Sequence, residues 1–174
     1  TIHSDESNIT IKNNKLSSSN KTGDASLNVP FNSIVINNTS PDEGNQPEED
    51  ESQYTTVIIT PQNIDQYMYY PVFTFKEYTK AVFVGTFTKD NDGTGYMLQT
   101  NNLIVDGSNA TFKDICFNIE KTNVTMRNMN ITISDKFSFA LSISGTNTSN
   151  IRIVNCSLTI NNTKTIDDTF ASWG

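Results

Sequence analysis

The stretch from Ser149 to Ile160, SNIRIVNCSLTI, decides the fold. After Asn150, apolar and polar residues alternate. Asn155 then interrupts the alternation, and apolar residues return at every second place. Alternation with a period of two predicts short β-strands that turn one face to a core and the other to water. Asparagine suits the interruption, because it tolerates left-handed backbone and its side chain bonds to nearby backbone. The stretch therefore predicts two short strands joined by a tight asparagine bend.

The same pattern recurs elsewhere in the chain. Residues 123–133 repeat it without a gap, residues 110–119 keep it with Asp114 in the place of asparagine, and residues 8–16 hold a weaker copy. Self-similar units of this length are typical of coils that stack on one another, since each unit buries its apolar face only against its neighbours.

The spacing of the copies sets the architecture. The equivalent residues Leu103, Val124 and Ile151 lie 21 and then 27 positions apart, and periods of roughly 20 to 30 residues are typical of solenoids. We therefore expect an all-β fold, a right-handed parallel β-helix with three strands per coil. A β-sandwich is the alternative, but its turns are usually marked by Gly and Pro, whereas these bends are mostly Asn, Ser and Thr. The expected strands are 103–105, 110–112 and 115–119, then 124–126, 129–133 and 140–143, then 151–153 and 156–160.

Stacked coils would bring equivalent asparagines together. We expect Asn123 to stack on Asn150, and Asn128 on Asn155. Ladders of this kind let side-chain amides bond from one coil to the next, as between identical strands elsewhere.

Composition and charge narrow the class of protein. The chain has 174 residues, of which 35% are hydrophobic, fewer than the ~45–50% of ordinary globular chains. The formal charge is −7, and it is concentrated in residues 40–53, so that the remainder is near neutral. Because the sequence offers no basic face for phosphates, we exclude nucleic acid as a partner. No stretch approaches the ~20 apolar residues that a membrane span requires.

Four segments follow from these patterns. We predict the end of a β-helix module at residues 1–39, an acidic linker at 40–53, a capping segment with lead-in strands at 54–101, and β-helix coils at 102–174. The linker is rich in acids, with two prolines and one glycine, and is typical of a solvated spacer. A cation-binding patch is the alternative, but its acids lack interleaved spacing. Since Thr1 falls within a repeat, we expect a processed product or a piece of a longer protein.

The capping segment is rich in aromatic residues between Gln62 and Lys80. A solenoid needs a different terminal unit to cover its open end, and Pro61 would suit the first turn of a short helix there. A platform for stacking sugars is the alternative use of the same residues. We expect the cap, because tyrosine commonly buries area while its hydroxyl stays wet.

Metal and cofactor binding find little support. Asp90 and Asp92, followed by Gly93, resemble the start of a calcium loop, but the twelfth place holds Asn101 instead of a bidentate glutamate. An Asp-Gly hairpin turn explains the same letters. Asp90 and Asp92 remain weak metal candidates, and we predict no cofactor.

Catalytic residues are equally sparse. The outward acids expected in the repeats are Asp106, Asp114, Glu120 and Asp135, and a glycosidase needs two carboxylates within roughly 5 to 9.5 Å. We expect Arg127 and Arg152 to be equivalent or nearly equivalent outward residues on adjacent coils. His3 is incidental. The sequence thus predicts no catalytic residues and no enzyme.

The two cysteines are expected on opposite faces. Cys156 falls in the inward register, whereas Cys116 should point outward or toward a bend. Opposite faces disfavour a disulfide, whose Cα atoms must lie within about 7 Å.

Several N-x-S/T sequons are present. Repeats of the form Asn-apolar-Thr produce such sequons by themselves. In an exported chain, Asn20, Asn38 and Asn147 are the best glycosylation candidates, because they fall in expected loops.

Two stretches carry a family resemblance: NNLIVDGSNATFKDICFNI (101–119) followed by TNVTMRNMNITI (122–133). Together with NIDQYMYYPVFTF (63–75) and AVFVGTFT (81–88), they resemble the adhesin-like proteins of methanogenic archaea. The likeness covers roughly Thr55 to Ile160, with a weaker repeat from Asn8 to Asn38. It implies a piece of a long cell-surface protein, and it carries no catalytic residues over.

These observations lead to a functional hypothesis. We expect a non-enzymatic, extracellular cell-surface module, a stiff β-helix whose faces and loops bind a glycan or protein on another cell. Two alternatives stay open. One is a fragment of a β-helix carbohydrate-active enzyme, either a polysaccharide lyase or a glycoside hydrolase; the other is a purely structural stalk.

Overall fold

The computed structural model describes residues 50–88, 94–134, 140–145 and 148–160, together with the backbone of short strands between residues 2 and 36. Across these residues the strands stack in parallel into a β-helix, which confirms the predicted solenoid. The helical structure that they contain is a turn of 3-10 helix at Ile64–Gln66, where the sequence predicted a short helix after Pro61. No helix in the described part of the chain is long and apolar enough to cross a membrane.

The strands are short, as the repeats predict. In chain order they are β1 (Ile2–Ser4), β2 (Ile9–Lys12), β3 (Lys15–Ser18), β4 (Leu27–Asn28), β5 (Ile34–Ile36), β6 (Thr55–Ile59), β7 (Met68–Tyr69), β8 (Val72–Phe73), β9 (Thr79–Thr88), β10 (Thr94–Leu98), β11 (Leu103–Lys113), β12 (Ile115–Ile119), β13 (Val124–Arg127), β14 (Asn130–Ile133), β15 (Leu141–Ile143), β16 (Ile151–Val154) and β17 (Ser157–Ile160).

Three columns of stacked strands run along the helix axis, and a complete coil contributes one strand segment to each. Column 1 contains, in spatial order, β6, the first halves of β9 and β11, then β13, β16, β2 and β5. Column 2 contains the second halves of β9 and β11, then β14, β17 and β3. Column 3 contains β8, β10, β12, β15, β1 and β4. All these pairings are parallel. Because a complete coil contributes to three columns, the prediction of three strands per coil is confirmed.

The register follows the apolar residues of the repeats. Leu103 pairs with Val124, and Val124 pairs with Ile151, so the residues that set the period are neighbours in column 1. Side chains of this register form a single narrow core. Its fully buried members include Leu103, Val105, Phe112, Phe117, Ile119, Val124, Met126, Ile131, Ile133, Leu141, Ile151 and Ile153.

An aromatic cluster closes one end of this core. Phe73 stacks on Phe75 with ring centroids 4.9 Å apart, and it meets Phe83 and Tyr96 edge-on. Strands β7 and β8 form an antiparallel hairpin, and β7 lies beyond β8 at the outer end of column 3. The aromatic-rich segment therefore caps the solenoid, as predicted.

The strands near the N-terminus occupy an unexpected place. Strand β1 pairs with β15, β2 with β16, and β3 with β17, all in parallel. Residues that come first in sequence therefore continue the stack beyond the coil formed by β15, β16 and β17. Within this part, β5 pairs in parallel with β2, and Ile34 lies beside Thr10.

Cys116 corrects a second expectation. It was expected to point outward, but its residue is only 2% exposed. It pairs with Gly95, and a Cβ added there would contact the Cys116 Sγ at 3.4 Å. Cys156 is buried as predicted, and neither cysteine is joined in a disulfide.

Candidate binding groove

The site begins with the asparagine bends that lead into column 1. Asn102, Asn123 and Asn150 each adopt left-handed backbone, with φ of 52°, 55° and 53°. Their side chains form a ladder: Asn123 Nδ2 donates to Asn102 Oδ1 at 2.9 Å, and Asn150 Nδ2 donates to Asn123 Oδ1 at 3.0 Å. The predicted stacking of Asn123 on Asn150 is confirmed, and Asn102 extends it by one coil.

The second pair of asparagines behaves differently. Asn128 and Asn155 are left-handed too, with φ of 55° and 53°, which fits their predicted role as bends between strands. The amide of Asn128, however, bonds toward the preceding coil, donating to Asp106 Oδ1 at 3.2 Å and to Ser108 Oγ at 3.0 Å. At this bend, the side-chain hydrogen bonds between coils therefore join the Asn128 amide to a carboxylate and a hydroxyl, instead of to another amide.

Two tyrosines continue the ladder position of Asn102 toward the capped end. Tyr78 directly precedes β9 as Asn102 precedes β11, and it also adopts left-handed backbone, with φ of 58°. Tyr54 holds the same place before β6. The two rings meet edge-on with centroids 5.8 Å apart. One line of bends thus carries aromatic rings at one end and amides at the other.

A groove of about 290 Å³ follows this line. Because the strand spacing is ~4.8 Å per coil, the line from Tyr54 to Asn150 extends over roughly 19 Å. Among the described residues that line the groove, Arg152 alone carries a charge. The lining side chains are Gln53, Tyr54, Tyr78, Asn102, Asn123, Thr125, Asn150 and Arg152.

A short strap, residues 50–54, forms one wall of the groove. Glu51 anchors it through ion pairs with Lys80 at 2.5 Å and with Arg127 at 2.6 Å. The Tyr54 N–H donates to the Glu51 carbonyl at 2.9 Å, which closes a turn. Residues 50–53 fall within the predicted acidic linker, so this end of the linker lies against the solenoid and supplies Gln53 and Tyr54 to the groove.

The ion pairs continue into the sheet through Asp106. Arg127 Nε donates to Asp106 Oδ2 at 2.8 Å, so Arg127 joins two carboxylates. Burial raises the pKa of Asp106, but hydrogen bonds from Ser108, Arg127 and Asn128 outweigh it and lower the pKa to about 2. The hydrogen bond from Lys80, together with Arg127, lowers the pKa of Glu51. Both carboxylates are therefore held ionised at neutral pH, which suits a clamp and not a general acid, whose pKa must be raised.

This cluster corrects two sequence-based expectations. Asp106 was expected to be an outward acid, but its residue is 7% exposed and its carboxylate is occupied. Arg127 and Arg152 are not equivalent, since Arg127 pairs with Val154 whereas Arg152 pairs with Thr125. They lie two residues apart along the strand, and the two charges have separate roles: Arg127 belongs to the clamp and Arg152 to the groove.

A second line of polar contacts runs beside the ladder, one residue earlier in each coil. Asn101 Nδ2 donates to Glu77 Oε1 at 3.1 Å, Asn101 Oδ1 accepts from the Thr122 N–H at 3.2 Å, and Thr122 Oγ1 donates to the Ser149 carbonyl at 2.8 Å. These bonds fix the backbone beneath the groove, so its amides are held in place before any ligand arrives.

The predicted site residues lie elsewhere in the chain. The weak metal candidates Asp90 and Asp92 and the glycosylation candidates Asn20, Asn38 and Asn147 are all outside the described residues. Within the described ranges, no group of three or more His, Cys, Asp or Glu side chains is placed to hold a metal ion.

Sequence reasoning missed the aromatic half of the groove. Tyr78 was considered only as part of a cap or platform, together with the exposed Tyr69 and Tyr70, and Tyr54 only as the start of the capping segment. One signal was available: each of the missed tyrosines stands immediately before a strand that opens a coil, which is the place that Asn102 and Asn123 hold in later coils.

This arrangement suits a polar chain with flat apolar faces. Aromatic rings offer surfaces for stacking, amides both donate and accept hydrogen bonds, and the guanidinium of Arg152 offers a planar fork for an anionic group. Comparison of the chain with protein-family models, curated proteins and solved structures found no match.

Proposed function

We propose that this chain is a non-enzymatic, adhesin-like module of a cell surface, a stiff β-helix that binds a glycan chain along the groove. The observation that carries the proposal is the continuous line of two tyrosines, three asparagines and Arg152 across successive coils. The resemblance to the adhesin-like proteins of methanogenic archaea supports an extracellular location.

The shape of the groove favours an extended ligand. Its polar groups recur with the strand spacing, so a chain laid along the axis meets the same kind of group at each coil. Aromatic rings at one end would stack on the apolar face of a sugar ring, while the asparagine amides would bond to hydroxyls. Because the ladder amides already bond to one another, the surface is pre-organised, which reduces the entropic cost of binding.

The charge of the lining favours an anionic glycan. Arg152 places a positive charge in the groove of a chain whose net charge is −7. A carboxylate or sulfate on the sugar would pair with the guanidinium, preferably through two parallel hydrogen bonds. The ligand class we propose is therefore an acidic polysaccharide, such as one containing uronic acids.

Binding of oligosaccharides to the whole chain tests this proposal. A glycan array identifies the ligand, and titration calorimetry measures its Kd. We expect Tyr78→Ala and Arg152→Gln each to weaken binding about tenfold, which corresponds to the loss of ~1.4 kcal/mol. We also expect added salt to weaken binding to the parent chain more than binding to Arg152→Gln.

Tyr69→Ala is the matched control, because the Tyr69 ring is 83% exposed and does not line the groove. Its Kd should equal that of the parent chain. If no acidic or neutral glycan binds, or if Tyr69→Ala weakens binding as much as Tyr78→Ala, the groove is not the binding site. Release of shortened oligosaccharides during incubation would instead favour the enzyme alternative.

A further inference from the structure

The place of the N-terminal strands has a consequence for assembly. Strands β1, β2 and β3 sit in register on β15, β16 and β17, one in each column. No peptide bond joins the two sets of strands at this junction, which is made by parallel ladder pairing. Any segment with the same strands in the same order would therefore fit the same surface.

A single covalent route connects the two sides of this junction. It is the segment between β5 and β6, residues 37–54. Within column 1, β5 and β6 are six strand spacings apart, which is ~29 Å at ~4.8 Å per spacing. The segment of 18 residues spans up to roughly 60 Å when extended, so it allows the contact within one chain with length to spare.

We propose that the terminal coil formed by β15, β16 and β17 is an acceptor surface for residues 2–36 of a second copy of the chain. The contact seen within one chain then forms between chains without any new interaction, which is the defining property of domain swapping. Each copy donates at one place and accepts at another. The exchange therefore closes as a reciprocal dimer or continues as an open head-to-tail fibre.

Linker length decides whether the contact forms within one chain or between chains. With the parent segment, the contact within one chain competes with the contact between chains at an effective concentration on the order of millimolar, so we expect the parent chain to be a monomer in dilute solution. Deletion of residues 38–49 leaves six residues between β5 and β6, with an extended reach of roughly 22 Å. Since this is shorter than the ~29 Å required, residues 2–36 can stack only on another copy.

The first test measures mass in solution. Light scattering after size exclusion should show a monomer for the parent chain and concentration-dependent dimers or larger species for the deletion variant. The control replaces residues 38–49 with Gly and Ser residues of equal number, and it should stay monomeric. A deletion variant that is folded and monomeric at every concentration contradicts the proposal.

The second test fixes the register of the exchange by disulfide trapping. Ser17 pairs with Thr159, and paired strands bring their Cα atoms within the range that a disulfide bridges. A mixture of Ser17→Cys and Thr159→Cys copies, both carrying the deletion, should form a crosslinked dimer. Thr132 pairs with Thr159 one strand further along, so Ser17 and Thr132 are ~9.6 Å apart. A mixture of Ser17→Cys with Thr132→Cys should give at least about tenfold less dimer, because that separation exceeds ~7 Å.

If the deletion prevents folding, the same cysteine variants can be mixed with the parent linker intact. Because each disulfide traps an exchanged pair, rare exchange in concentrated solution accumulates as crosslinked dimer. Matched pairs should again exceed mismatched pairs. Equal yields from both mixtures would indicate non-specific association, and no crosslink at high concentration would indicate that the surface accepts only its own chain. Either result overturns the proposal, and neither depends on glycan binding.

Discussion

Two substitutions of Asn123 separate the stability that comes from its backbone conformation from the stability that comes from its side-chain hydrogen bonds. Its left-handed backbone, with φ of 55°, disfavours residues with a Cβ, and its side chain bonds to Asn102 and Asn150. Each ladder bond contributes about 0.5–1 kcal/mol at this partly wet position, and left-handed backbone costs alanine about 1–2 kcal/mol. We therefore expect Asn123→Ala to lower the free energy of unfolding by about 2–4 kcal/mol.

Asn123→Gly isolates the side chain, because glycine adopts left-handed backbone without a steric cost. It loses only the ladder bonds, so we expect a loss of about 1–2 kcal/mol. Urea unfolding followed by circular dichroism measures both variants against Asn130→Ala. Asn130 is exposed on β14, and this control should change stability by less than about 0.5 kcal/mol. Equal losses for Asn123→Ala and Asn123→Gly would refute the backbone argument, and losses no larger than that of Asn130→Ala would refute the ladder.

Three further perturbations test the clamp and the core. The pKa of Asp106 is lowered to about 2 in the folded chain, so its ionised form stabilises the fold by about 2 kcal/mol above pH ~4, and this stabilisation is lost as the pH falls toward 2. The free energy of unfolding should therefore fall less steeply with decreasing pH in Asp106→Asn than in the parent chain. Equal slopes would contradict the ion-pair clamp of Asp106, Arg127 and Glu51. Phe117 is fully buried, and the centroid of its ring lies 5.1 Å from that of Phe112. Phe117→Ala should therefore lower the free energy of unfolding in urea by about 3–5 kcal/mol. A decrease below about 1 kcal/mol would mean that the core is not packed as described. A Cβ on Gly107 would lie 2.7 Å from the Sδ of Met129 and 3.1 Å from both the Asn128 carbonyl oxygen and the Met129 Cα. Because those two backbone atoms cannot move aside as a side chain can, Gly107→Ala should cost about 1–3 kcal/mol and lower the thermal midpoint. An unchanged midpoint would contradict this close packing of β11 on the next coil.

Local periodicity was sufficient to predict the coils and their core. Alternation identifies which residues point inward, and the spacing of Leu103, Val124 and Ile151 identifies which strands are equivalent, because equivalent strands in a solenoid must stack. The asparagine bends were predictable for the same reason, since few residues tolerate left-handed backbone.

What periodicity cannot predict is which coil lies next to which. Strands β1 to β3 carry the same pattern as the later coils, and a pattern shared by all coils does not specify a neighbour. Sequence order suggested that residues 1–39 form the end of a β-helix module before the linker, whereas the pairings place strands β2 and β3 after β16 and β17. The boundaries proposed for the segments remain predictions.

The candidate groove was only half predictable. Its amide half follows from the repeats, but its aromatic half depends on Tyr54 and Tyr78, which replace asparagine at equivalent bends.

The burial of Cys116 was not predictable from alternation either. Alternation assigns it to the outer face, but it is buried beside Gly95, which belongs to another coil.

Disulfide trapping across β14 and β17 tests the central claim most directly, because it reads the direction in which adjacent coils pair. Asn130 pairs with Ser157, and Thr132 pairs with Thr159. The native thiols should not interfere, because both are buried and burial raises the pKa of Cys116 to about 11 and that of Cys156 to about 12. Parallel stacking predicts crosslinks in the variants Asn130→Cys/Ser157→Cys and Thr132→Cys/Thr159→Cys. Crosslinks in Asn130→Cys/Thr159→Cys and Thr132→Cys/Ser157→Cys instead would show antiparallel strands and contradict the β-helix.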